Sequence, residues 1–176
     1  MDVLLAASYE RGYCQGLNFI AGNFLLNFTH LLYEGDGCAE GADECETQGQ
    51  WVNCERNSFI CLCFLLRHSW IYILFDSRCS SLMEYMKLFE KKLRRHNNKV
   101  YRHWKGIGFD PLCVTVEWFT TCFVTVSPGQ LANSALDLLL AGCEDALLKV
   151  GLAMIDEVED QVLGMNLEQM QVELKS

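Results

Sequence analysis

From Gln15 to Tyr33 the apolar residues Leu17, Ile20, Phe24, Phe28 and Leu31 recur every three or four positions, the spacing of one face of an α-helix. Phe59 to Phe75 is apolar almost all round, interrupted by Arg67 and His68, which predicts a helix deep in a core. A membrane span needs about 20 apolar residues and tolerates central charge poorly, so the run reads as core rather than as a crossing. A third face follows at Leu82, Tyr85, Met86, Phe89 and Leu93, led by the capping-box pattern Ser81 to Glu84. Asp110-Pro111 marks the start of a helix through Phe123. Within that segment, however, Val114, Thr115, Val116, Thr120, Thr121, Val124, Thr125 and Val126 favour strand by propensity. A stripe at Leu147, Val150, Met154 and Val158 follows Gly142, and Asn166 to Gln169 repeats the capping box before Leu167, Met170 and Leu174. The fold class read from this pattern is all-α, a helical array around one core.

One stretch breaks the pattern. Residues 34–57 hold Glu34, Asp36, Glu40, Asp43, Glu44, Glu46 and Glu55 against Arg56 alone, with several glycines and little apolar sequence. The reading is an acidic, mobile loop inserted in a single domain that spans residues 1–176. Net charge is −9, so the chain has no overall positive field to neutralise phosphates, which argues against nucleic acid as a partner. Locally the balance reverses: Lys87, Lys91, Lys92, Arg94, Arg95, Lys99, Arg102 and Lys105 stand against Glu90. Such a stretch is a solvated helix face, or it steers an acidic protein surface or an anionic membrane.

The first residues, Met1 to Ser8, are apolar but lack a basic leader and run into Tyr9-Glu10-Arg11, unlike a signal peptide. Without a secretory signal the 10 cysteines read as reduced thiols. Cys38, Cys45, Cys54, Cys61 and Cys63 match no common zinc spacing, so the expectation is no metal. His30, His68, His96 and His103 show no nucleophile or ligand pattern, and no Gly-rich phosphate loop is present.

The most informative segment is Gly12-Tyr13-Cys14-Gln15-Gly16-Leu17-Asn18-Phe19-Ile20-Ala21. It resembles the Tyr-x-Gln motif of TBC domains, the family of Rab GTPase-activating modules, with Leu17 at the motif's Met position, a volume-conserving exchange. Downstream, Val100-Tyr101-Arg102-His103-Trp104 with Gly108 resembles the family's helix with Leu-x-x-His-Leu and its turn. Trp118-Phe119-Thr120-Thr121-Cys122-Phe123 with Pro128 resembles its Trp-Phe-x-x-x-Phe…Pro segment, and Ala135 to Gly142 its Trp-Asp-x-x-x-x-x-Gly helix, with Leu136 in the Trp position. The resemblance implies helix at Val114–Val126 against the strand propensities, and a partial TBC domain that lacks the family's first helices.

What the resemblance implies chemically is GTPase activation in trans. Hydrolysis by a small GTPase is limited by water positioning and by charge on the transferring phosphoryl group. The motif glutamine, here Gln15, orients the water, and Tyr13 positions it. The family's second group is an arginine in Ile-x-x-Asp-x-x-Arg, worth roughly 10³–10⁵ in rate. Only 12 residues precede Tyr13 and none match that motif; Arg11 stands at the wrong position and takes no such role. The expected partner is therefore a Rab-type small GTPase that carries the GTP and Mg²⁺, with no cofactor held by this chain. The expected location is cytoplasmic, peripheral to endomembranes through that partner. The alternative is a non-catalytic GTPase-binding or scaffold module, because the arginine is absent.

Overall fold

The computed structural model describes residues 14–34, 44–68, 70–75, 80–127 and 129–173. These residues form nine α-helices and one 3₁₀ segment, with no strand among them. In chain order they are α1 (Leu17–Glu34), α2 (Glu44–His68), the 3₁₀ segment Trp70–Phe75, α3 (Ser80–His96), α4 (Asn98–Gly106) and α5 (Leu112–Thr120). Then come α6 (Gln130–Leu140), α7 (Ala146–Glu157), α8 (Glu159–Leu163) and α9 (Leu167–Glu173).

Helix α3 is the hub. Its apolar face, Leu82, Tyr85, Met86, Phe89 and Leu93, is buried, and the helix packs against the 3₁₀ segment, α4, α5 and α7. Phe89 lies edge-on to Trp118 and Phe119, with ring centroids 6.2 and 5.4 Å away. Tyr85 and Phe123 extend the same arrangement around Phe119 at 5.2 and 6.2 Å. These offsets are the favourable edge-to-face geometry, which adds to the burial of large rings. Gly151 of α7 lets that helix approach: a Cβ there would stand 3.0 Å from Phe89 Cε2.

The valine- and threonine-rich segment is helical from Leu112 to Thr120 and then turns, ending three residues before the expected Phe123. Threonine is accommodated because its hydroxyls donate back to carbonyls one turn earlier. Thr115 Oγ1 reaches Pro111 O at 3.0 Å, Thr120 Oγ1 reaches Val116 O at 2.8 Å and Thr121 Oγ1 reaches Glu117 O at 2.8 Å. Pro111 takes the cap position rather than Asp110, whose carboxylate still accepts from Leu112 N at 3.0 Å. The Asn166–Gln169 capping box forms reciprocally at 2.9 and 3.0 Å, whereas α3 begins at Ser80, ahead of the Ser81 box.

Three expectations are corrected here. The acidic stretch 34–57 is not a loop throughout: Glu34 closes α1 and everything from Glu44 onward is helix, while residues 35–43 lie outside the described residues. Cys54, Ser58, Leu62 and Leu65 fall on one buried face, and the Ser58 hydroxyl donates to Cys54 O at 2.7 Å. One stripe is enough to hold a helix against a neighbour, here α1, so low apolar density elsewhere did not signal a loop. The apolar run 59–75 is likewise not one core helix. It breaks after His68 into the 3₁₀ segment, and Ile60 and Phe64 remain 51% and 45% exposed. Leu31, expected in the α1 core face, is 66% exposed.

Polar contacts lock the α3–α4 junction to the α7–α8 junction. His96 Nε2 lies 2.6 Å from Asp156 Oδ2, and the buried Asn97 amide donates to Asp156 Oδ1 at 3.3 Å and Glu159 Oε2 at 2.6 Å. The Asn97 oxygen meanwhile caps α4 by accepting from Val100 N at 3.1 Å. The hydrogen bond from His96, aided by Asn97, holds the Asp156 carboxyl below its usual range. A depressed carboxylate stabilises the fold above the pKa it has when unfolded, and that contribution disappears as pH falls through the folded value. The pair is half-exposed, so its worth is under about 1 kcal/mol. Urea midpoints of wild type and Asp156→Asn should therefore differ at neutral pH and converge as pH drops below about 4. In the core, Phe89→Ala should cost about 3–5 kcal/mol in the same measurement.

Candidate functional site

Gln15 sits on the turn that feeds α1, with its side chain exposed. The turn closes through Leu17 N donating to Cys14 O at 3.4 Å and through Phe19 N and Ile20 N donating to Gly16 O at 3.1 and 3.4 Å. Gly16 is buried at φ +108°, a backbone region that L side chains rarely adopt. A Cβ on it would stand 2.2 Å from the carbonyl oxygen of Thr120, the last residue of α5. The motif's glycine is thus required twice, by its dihedral and by contact with a backbone that has no rotamer to yield. Leu17 and Ile20 plunge into the core directly after it, while Asn18 and Phe19 stay exposed with Gln15.

The support beneath Gly16 is itself constrained. After Thr120 the chain takes φ +49° at Cys122 and φ +66° at Phe123, both non-glycine residues in the left-handed region. Each such residue costs on the order of 1–2 kcal/mol. The turn is held by Phe123 N donating to Trp118 O at 2.8 Å, by Thr121 Oγ1 and Thr125 Oγ1 at 3.0 Å, and by full burial of both side chains. Burial pushes the Cys122 thiol far above its ordinary range, so it stays a neutral packing group.

A second tie fixes the direction of α1. Asn133 of α6 accepts at Oδ1 from Asn23 Nδ2 at 2.8 Å and from Asn27 Nδ2 at 2.9 Å, and donates through Nδ2 to Asn27 Oδ1 at 2.8 Å. Asn27 Nδ2 also donates to Asn23 O at 2.7 Å. A largely satisfied amide cluster of this kind orients two helices more sharply than apolar contact does. The sequence reading did not include Asn23, Asn27 or Asn133, and it named Thr120 only within its own segment. The signal was there in two asparagines four residues apart inside an apolar helix, which need a common polar partner.

Three stretches quoted from the sequence therefore meet. Residues 14–21 rest on the end of Trp118–Phe119–Thr120, and α1 is tied to the helix that carries Ala135 to Leu140. Leu136, in the family's Trp position, is buried. His103 joins its own helix to the segment before α9, its Nε2 2.9 Å from Met165 O. Gly12, Tyr13, Arg11 and Pro128 lie outside the described residues. No three His, Cys, Asp or Glu converge as a metal site among the described residues, and none of their helices is long and apolar enough to cross a membrane.

The architecture defines an all-α scaffold that offers an amide at its surface from a rigid turn. The chain belongs to the Rab-GTPase-TBC domain family, whose model matches residues 3–163. It is 24% identical over 161 residues to Rab GTPase-activating protein eat-17 of Caenorhabditis elegans, covering 92% of this chain and 15% of that protein. It is 22% identical to the human ecotropic viral integration site 5 protein homolog, covering 92% and 17%. The chain thus spans less than a fifth of these relatives' length. The crystal structure of the Ypt/Rab-GAP domain of Gyp1p superposes with a TM-score of 0.76 at 17% identity, covering 99% of this chain and 56% of that one. That likeness shows the all-α TBC fold.

The Gly16 contact gives a direct test. Gly16→Ala should lower stability by at least about 2 kcal/mol, because left-handed strain and the clash with Thr120 O add. Its urea midpoint, compared with that of Gly22→Ala where a Cβ meets nothing within 4 Å, measures the difference.

Proposed function

We infer that this domain stimulates GTP hydrolysis by a Rab-type small GTPase, with Gln15 supplying its side-chain amide in trans. The observation that carries the reading is the presentation of Gln15: an exposed amide on a turn fixed by Gly16 against Thr120. An amide can accept a hydrogen bond from a water and donate one to a phosphoryl oxygen at once, which is what orientation of an attacking water needs. A rigid platform matters because a loose one forfeits the entropic advantage of positioning. GTP and Mg²⁺ belong to the partner. Family membership and the names of the relatives support the same partner class.

A second reading has its own observation: no stretch of the 176 residues matches Ile-x-x-Asp-x-x-Arg. If no arginine is supplied from outside these residues, the transition state lacks its strongest charge partner while docking contacts persist, giving a GTPase-binding module with little acceleration. Single-turnover hydrolysis across a panel of GTP-loaded Rab proteins separates the two. The catalytic reading expects acceleration that falls about 10²-fold in Gln15→Ala, with the melting temperature unchanged because the side chain is exposed. Acceleration equal in wild type and mutant would remove the role from Gln15. GTP-dependent binding without acceleration would establish the module.

A further inference from the structure

The outer side of α3 carries charge that the Gln15 site does not use. Lys87, Lys91, Arg94 and Arg95 are all exposed and fall opposite the buried Leu82, Tyr85, Met86, Phe89 and Leu93. Helix α4 continues the field with exposed Lys99, Arg102 and Lys105. Tyr101 joins the two helices, its ring 5.9 Å from the Arg94 guanidinium carbon and 5.7 Å from Lys105 Nζ. Lys105 is paired with Glu90 at 2.8 Å and Lys99 with Glu159 at 3.5 Å. Among the described residues Lys87, Lys91, Arg95 and Arg102 have no carboxylate within ion-pair distance. Glu84, also exposed, stands at the N-terminal end of the α3 face.

A helix C-terminus attracts cations, which accounts for Arg94 and Arg95 in the last turn. It does not account for Lys87 and Lys91, which stand further back. Lys87–Lys91 and Lys91–Arg95 are like-charge pairs at i, i+4, an arrangement that disfavours the helix on its own. In a chain of net charge −9 such repetition is a local reversal that an external anion would relieve. Exposed Met83 and Leu88 flank the bases on either side.

We propose that this face of α3, continued by α4, docks on an anionic membrane leaflet. Four lysines and three arginines, all exposed and spread along two helices, offer their charge to a diffuse planar charge rather than to one point. A protein partner is held instead by large side chains seated in packed pockets, and both aromatic residues of α3 point inward. Met83 and Leu88 supply the apolar contact that such surface helices make with the headgroup boundary. The proposal does not depend on the role of Gln15.

Co-sedimentation of the 176-residue chain with vesicles tests it. Phosphatidylcholine vesicles are compared with vesicles carrying about one-third phosphatidylserine. Binding is expected only to the second, and should weaken steeply between about 0.1 and 0.5 M salt. Each base near an anionic surface contributes roughly fivefold in partition, so Lys87→Gln/Lys91→Gln/Arg95→Gln should lose about 10²-fold. Met83→Ser/Leu88→Ser should weaken binding, while Lys149→Gln, on α7 and off this face, should not. Matching circular dichroism melts confirm that the variants are folded. No binding to anionic vesicles, or equal binding by wild type and the triple variant, overturns the proposal. Retention of the chain on an immobilised acidic peptide without vesicle binding would assign the face to a protein partner.

Discussion

The presentation of Gln15 depends on one close approach, Gly16 against the last carbonyl of α5. Few backbone contacts leave so little choice of residue, since both the positive φ and the absent Cβ are demanded at one position. The contact turns two distant segments into one platform: the turn before α1 and the end of α5. Everything that supports α5 then supports Gln15 indirectly, including the left-handed pair Cys122–Phe123 and the aromatic packing of Trp118 and Phe119 on Phe89. Strain in the turn after α5 is sustained by burial on every side of Phe123.

The amide cluster of Asn23, Asn27 and Asn133 completes the constraint by setting the direction in which α1 leaves the turn. Apolar contact between helices is tolerant of sliding, whereas these hydrogen bonds tie α1 to one register on α6. Gln15, Asn18 and Phe19 are thereby exposed together while Leu17 and Ile20 anchor the same turn from beneath. The core thereby fixes where Gln15 stands at the surface, as its proposed role requires.

Much of the fold was legible because the helices are amphipathic at their own period: the α3 face from Leu82 to Leu93 emerged residue for residue. Where reading failed, the cause was physical. The start of α2 hides a narrow stripe, Cys54–Ser58–Leu62–Leu65, among acidic residues that face away, and apolar density misjudges such a helix. The run 59–75 failed in the opposite sense, because apolar content says nothing of where a helix must stop and tighten to 3₁₀. Threonine- and valine-rich α5 is helical because its hydroxyls bond within the helix and its rings pack on α3, a tertiary decision that outweighs propensity. At the site, the ten-residue motif pointed to Gln15, but the pairing of Gly16 with Thr120 spans more than a hundred positions and left no local trace.

The fixed turn is proposed to deliver Gln15 to a GTPase at the moment of phosphoryl transfer. The most direct measurement is the affinity of the chain for a Rab GTPase loaded with GDP and a fluoride mimic of the transferring phosphoryl group, compared with GDP alone. An amide that acts on the transition state must bind it better than the ground state. The account expects tighter binding to the mimic, with that preference removed by Gln15→Ala. Equal affinity for both forms, or a preference untouched by the substitution, would contradict it.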